Sequence, residues 1–311
     1  MTAVAVPPNV VDAEGARSGV APPRRKRRID FLTIGLGVWT VLVFIFLFLP
    51  IGFIVAHSFN KGKALLVWQG FSTKWYHELF RNEPLKQSII NSLRVAIGST
   101  IIAVILGATA GIALARRGGR WATSFMGIVF LILVTPEIVD AIALLIWFVR
   151  LGGPFAGGIY VFGHGFNAGT VRLFVGHSLF SSAVVTLIVR ARLQGLDESL
   201  EEAAADLGAT PSRAFRQITL PLMFPALLAG ALLAFTFSLD NTIVATFVST
   251  AGSTTLPVYV FSSVRSVIKP DIAAAATLML GLTLFALALV AVVLRRGGDS
   301  ASDVAATLTG N

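Results

Sequence analysis

The sequence predicts an all-α integral membrane protein with six transmembrane helices, and three observations carry that prediction. Of the 311 residues, 55% are hydrophobic and 13% charged, where a soluble domain carries about 25% charged residues. The apolar residues arrive in blocks long enough to cross a hydrocarbon core, which takes about 20 residues in a helix. Inside the blocks they run continuously instead of alternating, so the backbone satisfies its hydrogen bonds within helices and not in a barrel.

Residues 1–30 are rich in Pro, Ala and charge and close on Arg24-Arg25-Lys26-Arg27-Arg28. Such a tail buries no core and is expected to be disordered, with its basic end held in the cytoplasm. A transmembrane domain follows at 31–296, its core at 89–296, and then a short cytoplasmic tail at 297–311. The spans are read at 31–56, 89–115, 122–149, 171–189, 225–248 and 272–294, the fourth being the shortest. The first is too long for a signal-peptide core and lacks a small-x-small cleavage site, so it is read as retained.

Six crossings from a cytoplasmic start put both termini inside. Arg116, Arg117, Arg120, Arg190, Arg192, Arg213, Arg216, Arg295 and Arg296 then face the cytoplasm, as basic residues beside spans do. Lys61, Lys63, Lys74, Arg81, Lys86, Arg265 and Lys269 fall outside, so the first outer loop is the less clean one. In the second span Gly107 and Gly111 set a small-xxx-small face, which favours close helix packing. Arg94, Arg150 and Arg172 lie near span ends, where snorkelling accounts for them.

Several function classes drop out here. The net charge of +9 is spread over short loops beside apolar blocks, which makes it topogenic and not a nucleic-acid surface. With no cysteine there is no disulfide framework and no thiolate site. The four histidines, His57, His77, His164 and His177, are scattered, form no ligand pair and are read as structural. No metal or nucleophile constellation suggests an enzyme. A phosphate-cradling loop needs G-x-x-x-x-G-K-[ST], which neither Gly62-Lys63 nor Gly118-Gly119 supplies.

The inner loop at 191–224 is longer than a connection requires. Leu200, Ala203, Ala204 and Leu207 recur at i, i+3, i+4 and i+7, one apolar stripe of a short helix. Asp197 caps its start, or Ser199 with Glu202 in a capping box, and Gly208 suits a left-handed stop. Thr210-Pro211 opens a second short helix, which Leu220-Pro221 is expected to end. The product is an apolar knob ringed by Glu201, Glu202, Arg213 and Arg216. An exposed apolar stripe of this kind seeks a partner.

Glu202-Ala203-Ala204, three residues, Gly208, nine residues and Ile218-Thr219-Leu220-Pro221 resemble the EAA loop of binding-protein-dependent ABC importer permeases. The resemblance covers about 31–296. It implies the type I ABC importer permease fold in a bacterial inner membrane, with a cytoplasmic coupling helix between helices 4 and 5. It implies coupling roles for Glu201, Glu202, Ala203, Ala204, Gly208, Ile218, Leu220 and Pro221. The implied partners are an ABC ATPase dimer that holds the ATP and Mg, a homologous second permease subunit in a heterodimer, and an external solute-binding protein. This chain itself would bind no cofactor.

Trp68–Tyr76, Thr135–Val139, Phe235–Asp240 and Leu256–Tyr259 are further similar to the second, C-type permease subunit of spermidine/putrescine importers. Relatives for ferric iron, thiamine, phosphonates and opines share some of these stretches. Glu137, Asp140 and Asp240 lie inside apolar spans, at about 2.5–3.5 kcal/mol each unless paired or hydrated. Glu137 and Asp240 each sit about 15 residues from an inner span end, roughly 22 Å up at 1.5 Å per residue. With Asn241 these acids either line a path for an organic polycation or brace helices: Glu137 can cap a break at Pro136, and Asp240-Asn241 can bond a neighbouring helix. In the polyamine relatives a second acid often stands where Asn241 stands here, and the outer segment 151–170 looks longer than usual. Trp75-Tyr76 reads as an interfacial anchor, or else as a contact for the binding protein. The competing class is a self-sufficient carrier using the three acids for ion coupling, but no helix-breaking pair in matching halves is evident.

Overall fold

The computed structural model describes residues 31–63, 67–161, 164–264 and 270–296. The basic N-terminal tail, the C-terminal tail, Arg265 and Lys269 lie outside them. The chain divides into two units, residues 1–51 and 52–311. The described part of the first is the body of helix α1 (Phe31–Ser58), whose side chains from Ile34 to Ile51 are exposed apolar groups on every face. That all-round apolarity is what a lipid-facing helix requires.

The second unit continues through α2 (Lys74–Arg81), α3 (Glu83–Arg116), α4 (Arg120–Val134), α5 (Glu137–Leu151), the short α6 (Pro154–Gly157), the hairpin β1 (Ile159–Val161) and β2 (His164–Phe166), and α7 (Ala168–Gln194). The coupling-loop region holds α8 (Ser199–Asp206) and α9 (Pro211–Ala214); α10 (Leu220–Asp240), α11 (Ile243–Val248), α12 (Leu256–Val264) and α13 (Pro270–Arg296) complete it. Among the described residues, five helices are long and apolar enough to cross a membrane, or six if the bent pair α4–α5 is one span.

Helices α3, α7 and α10 form the centre. Gly107 and Gly111 let α3 and α7 approach: a Cβ at Gly107 would stand 2.6 Å from Val185 Cβ, and one at Gly111 2.9 Å from the Thr186 carbonyl. The small-xxx-small reading therefore finds its partner helix. Ala103, Val185, Val189, Met223 and Ala234 close the inner half of this core. Val95, Phe148, Leu173 and Val248 close a second cluster that joins α3, α5, α7 and α11.

Four expectations are corrected. The third span is not one helix: α4 and α5 meet at Thr135-Pro136 with a bend of 105°. Proline lacks the N–H that would continue α4, and it forces Thr135 out of the helical region to φ −63°, ψ 130°. The fifth span also breaks, at Asn241, before α11. The second short helix of the loop does not end at Leu220-Pro221 but continues into the fifth span, so that helix runs from Pro211 to Asp240. A π turn at Phe215–Thr219, with Leu220 N–H bonded to the Phe215 carbonyl, takes up the extra residue. Such widened turns give a helix room to absorb a local irregularity. The fourth span, expected to be the shortest, is a helix of 27 residues.

Candidate functional site

The intramembrane acids meet at the two helix breaks. Glu137 is the first residue of α5 and Asp240 the last of α10. The Asn241 side-chain amide donates to the Glu137 carboxylate, and Asn241 Oδ1 accepts from Val244 N at 3.0 Å, capping α11. This bond joins the two breaks through Asn241 and not through Asp240, the residue whose depth the count had matched to that of Glu137. Glu137, Asp140, Asp240 and Asn241 line one cavity of about 390 Å³. Glu137 and Asn241 bond each other across the two breaks. Among the described residues, Asp140 and Asp240 enter no ion pair.

Among the members of this wall that sequence reasoning did not single out as a site are His177, Phe180 and Phe237. His177 is 2% exposed. Its Nδ1 lies 2.7 Å from Ser238 Oγ, which is 3.0 Å from Ser99 Oγ. Phe180 and Phe237 meet edge to face at 5.6 Å between centroids. The available signal was an ionisable residue in mid-span, which is a functional hint by itself; reading the histidines as a scattered set hid it.

The loop at 191–224 is the second site. Asp197 Oδ1 accepts from Ser199 N at 3.0 Å at the start of α8, so Asp197 holds this end and the Ser199–Glu202 box does not form. That backbone N–H keeps the Asp197 carboxyl below the usual carboxylate range. At the other end Gly208 takes φ +81°. Its N–H bonds the Ala205 carbonyl at 2.9 Å, and Ala209 N–H the Ala204 carbonyl at 2.9 Å. These are the two bonds of a Schellman stop, which needs the left-handed residue.

The knob is exposed: Leu207 is 89% and Leu200 45% accessible, and Glu202 and Ala203 face outward. Glu201 turns the other way. It forms a bidentate ion pair with Arg116 at the end of α3 and accepts from the Thr219 hydroxyl. The Arg116 hydrogen bonds, with Thr219 adding to them, hold its carboxyl below the ordinary range. Ile218 is half-buried, and Leu220 and Pro221 lie on the outer side of the same helix.

Two peripheral readings change. Trp75 is buried, with Nε1 donating to the Asn60 carbonyl at 2.7 Å, and Tyr76 Oη lies 2.8 Å from Ser58 Oγ. The indole and phenol therefore brace the segment that follows α1 and are not free anchors. Arg172 does not merely snorkel: its Nε donates to the Phe155 carbonyl at 2.8 Å and pins α6 onto α7.

Comparison with known proteins agrees with this architecture. Residues 103–297 match the family described as binding-protein-dependent transport system inner membrane component. The chain is 41% identical over 248 residues to the putrescine transport system permease protein PotI of Escherichia coli (strain K12), covering 78% of this chain and 86% of that protein. It is 36% identical over 255 residues to the spermidine/putrescine transport system permease protein PotC of Haemophilus influenzae (strain ATCC 51907 / DSM 11121 / KW20 / Rd), covering 82% and 94%. A bacterial ABC transporter involved in the import of the acidic polysaccharide alginate superposes with a TM-score of 0.64 at 16% identity, covering 88% of this chain and 99% of that one; this likeness concerns the fold alone. By the family match and these identities, the chain belongs to the binding-protein-dependent transport system inner membrane components, the permeases of ABC importers.

Proposed function

We propose that this chain is the permease subunit of an ATP-driven polyamine importer, taking up putrescine or spermidine across a bacterial inner membrane with both termini in the cytoplasm. It pairs with a homologous permease, receives substrate from an external binding protein and is driven by an ATPase dimer that holds the ATP and Mg. The observation that carries this reading is the convergence of Glu137, Asp140, Asp240 and Asn241 on one cavity between two helix breaks. The two permeases of putrescine and spermidine/putrescine systems, at 41% and 36% identity, support it.

The coupling step belongs to the loop. Exposed Leu200, Ala203 and Leu207 offer an apolar ridge to a cleft in the ATPase, and Glu202 a polar contact. Ala204 and Gly208 set the turn that presents the ridge, and Glu201 ties it to α3 through Arg116. Ile218, Leu220 and Pro221 carry the movement into α10. Closure of the ATPases on ATP pulls the loop as a rigid body and rocks the helices between inward-facing and outward-facing arrangements; hydrolysis resets them.

The test is uptake by proteoliposomes containing both permeases and the ATPases, with the cognate binding protein outside and ATP inside. Putrescine or spermidine accumulates only with ATP. A binding protein that ignores both and takes ferric ion, thiamine, a phosphonate or an opine overturns the substrate. Uptake by this chain alone, with no ATPase, overturns the class in favour of an ion-coupled carrier.

A further inference from the structure

Helix α4 carries a surface that neither the acid cavity nor the coupling loop uses. It starts from a two-glycine turn, Gly118-Gly119, in which Gly119 takes φ +116°, and an arginine flanks that turn on each side. Arg116 is held by Glu201. Arg117 and Arg120 are exposed and enter no ion pair among the described residues. At 100° of rotation per residue, Arg120, Trp121, Ser124, Phe125, Ile128 and Leu131 share an arc of about 140°, and all six are exposed. Met126 and Val129, on the opposite side, are buried, and Met126 Sδ accepts from Arg190 of α7 at 3.4 Å. One side of α4 therefore packs on α7 and the other is bare. From its base the bare side runs from guanidinium to aromatic to aliphatic. Trp121 and Phe125 meet edge to face at 6.4 Å between centroids, and Ile128 and Leu131 follow. The Ser124 hydroxyl turns back onto the Arg120 carbonyl at 3.1 Å, so it adds no free polar group to the stripe.

We propose that this stripe is a binding site for one anionic phospholipid of the inner leaflet, its phosphate held by Arg117 and Arg120 and an acyl chain laid along Trp121, Phe125, Ile128 and Leu131. The inference goes beyond the substrate reading and rests only on the orientation proposed above. Guanidinium groups donate paired hydrogen bonds to phosphate oxygens, and basic residues at the cytoplasmic ends of spans attract anionic headgroups. Tryptophan favours the headgroup level of a bilayer, and Trp121 follows Arg120 directly. The rise from Arg120 to Leu131 is about 16 Å at 1.5 Å per residue, the depth of one leaflet in a hydrocarbon core about 30 Å thick. A protein partner on this face would have to bring acids against both arginines and an apolar ridge against the rest. A phospholipid supplies the charge and the chain in one molecule, in that order and at that length.

The chain has no cysteine, so a single introduced one carries a reporter. A bimane on Gly127→Cys stands at the margin of the stripe, where a Cβ meets nothing within 4 Å; one on Gly281→Cys in α13, equally open, is the control. The probes are brominated phosphatidylglycerol and brominated phosphatidylcholine, in nanodiscs holding the intact importer, both permeases with both ATPases, the other subunits free of cysteine. Quenching at Gly127→Cys reaches its midpoint at a mole fraction of the anionic lipid about thirtyfold below that of the zwitterionic one, each arginine contributing about fivefold. Arg117→Gln and Arg120→Gln each keep about a fivefold preference and the double variant keeps none. Both side chains are exposed, so these changes disturb no packing. Gly281→Cys shows no such preference. An equal preference at both reporters overturns the proposal, since it marks a general attraction to a basic protein. A preference unmoved in the double variant overturns it too, as does absence of quenching by either lipid, which leaves the second permease as the occupant. Loss of the preference in millimolar inorganic phosphate, but not in chloride of equal ionic strength, makes the site one for a free anion and not for a lipid. The orientation is read separately with Gly118→Cys and a membrane-impermeant maleimide. Labelling from the cytoplasmic side only supports the inner leaflet; labelling from outside defeats that leaflet and the orientation together, while polyamine uptake by the complete system, measured in parallel, still judges the substrate on its own.

Discussion

Glu201 and Glu202 are adjacent and chemically alike, yet the fold gives them opposite duties. One helical residue is 100° of rotation, so when Glu202 faces outward Glu201 can turn back onto Arg116 and Thr219. A bidentate arginine–carboxylate pair is a strong form of surface ion pair, worth about 1 kcal/mol when partly exposed. Because the native pair holds the Glu201 carboxyl below the ordinary glutamate value of 4.5, its contribution is complete above that value and is lost as pH falls through the lowered one. Glu201→Gln should therefore melt earlier than wild type at pH 7, by roughly 1 kcal/mol, and the two curves should converge under acid. Melting of the purified importer at the two pH values checks this; a gap that stays constant on acidification defeats the ion-pair account. The sequence showed that two acids ring the knob. Which one turns inward depends on Arg116, 85 residues away in the chain, and no local pattern encodes that.

Among the elements, the α3–α7 contact shows what small residues accomplish in a membrane. No hydrophobic gradient draws helices together in lipid, so close approach and van der Waals contact must do it. Gly107→Leu places its Cβ 2.6 Å from Val185 Cβ and 2.8 Å from the Ser182 carbonyl, and overpacking of that kind costs about 1–3 kcal/mol. Gly127→Leu on α4, where a Cβ meets nothing within 4 Å, should change little. Paired melting curves check the contrast, and equal losses at both positions would refute the packing role of Gly107. Element by element, the helices were legible because their apolar runs are long. The breaks were less so: Pro136 was visible as a residue, but a bend of 105° follows from α5 packing on α11. The break at Asn241 carries no proline at all. It is held by the Asn241 side chain, which bonds Glu137 and caps α11, a tertiary arrangement that periodicity does not express. Pro221 misled in the opposite direction, because a proline can stay in a helix when a π turn precedes it.

For the molecule as a whole, the coupling role proposed above makes transport depend on presenting the knob in one orientation. Gly208 has open space around it, so a side chain there meets no neighbour; the constraint is the backbone at φ +81°. A β-branched residue resists that conformation, whereas asparagine visits it readily. Gly208→Val should cut uptake about five- to thirtyfold, the effect of losing about 1–2 kcal/mol of turn preference, with membrane abundance unchanged. Gly208→Asn should retain most of it. Uptake assays beside quantitative immunoblots decide, and undiminished transport by the valine variant refutes the coupling role. The cavity was legible only as scattered acids: sequence placed Glu137 and Asp240 at one depth, but the enclosure, and the histidine and aromatics within it, required α7 to pack against both breaks.

The π turn at Phe215–Thr219 joins α9 to α10 without interrupting the helix, so Pro211 and Asp240 stand at opposite ends of one rod of 30 residues. At 1.5 Å per residue that rod is about 45 Å long. On the coupling proposed above, force delivered to the Pro211 end would need no relay of contacts to reach the acids; the far tip of the same piston is a wall of the chamber, and each stroke would reshape the space inside it.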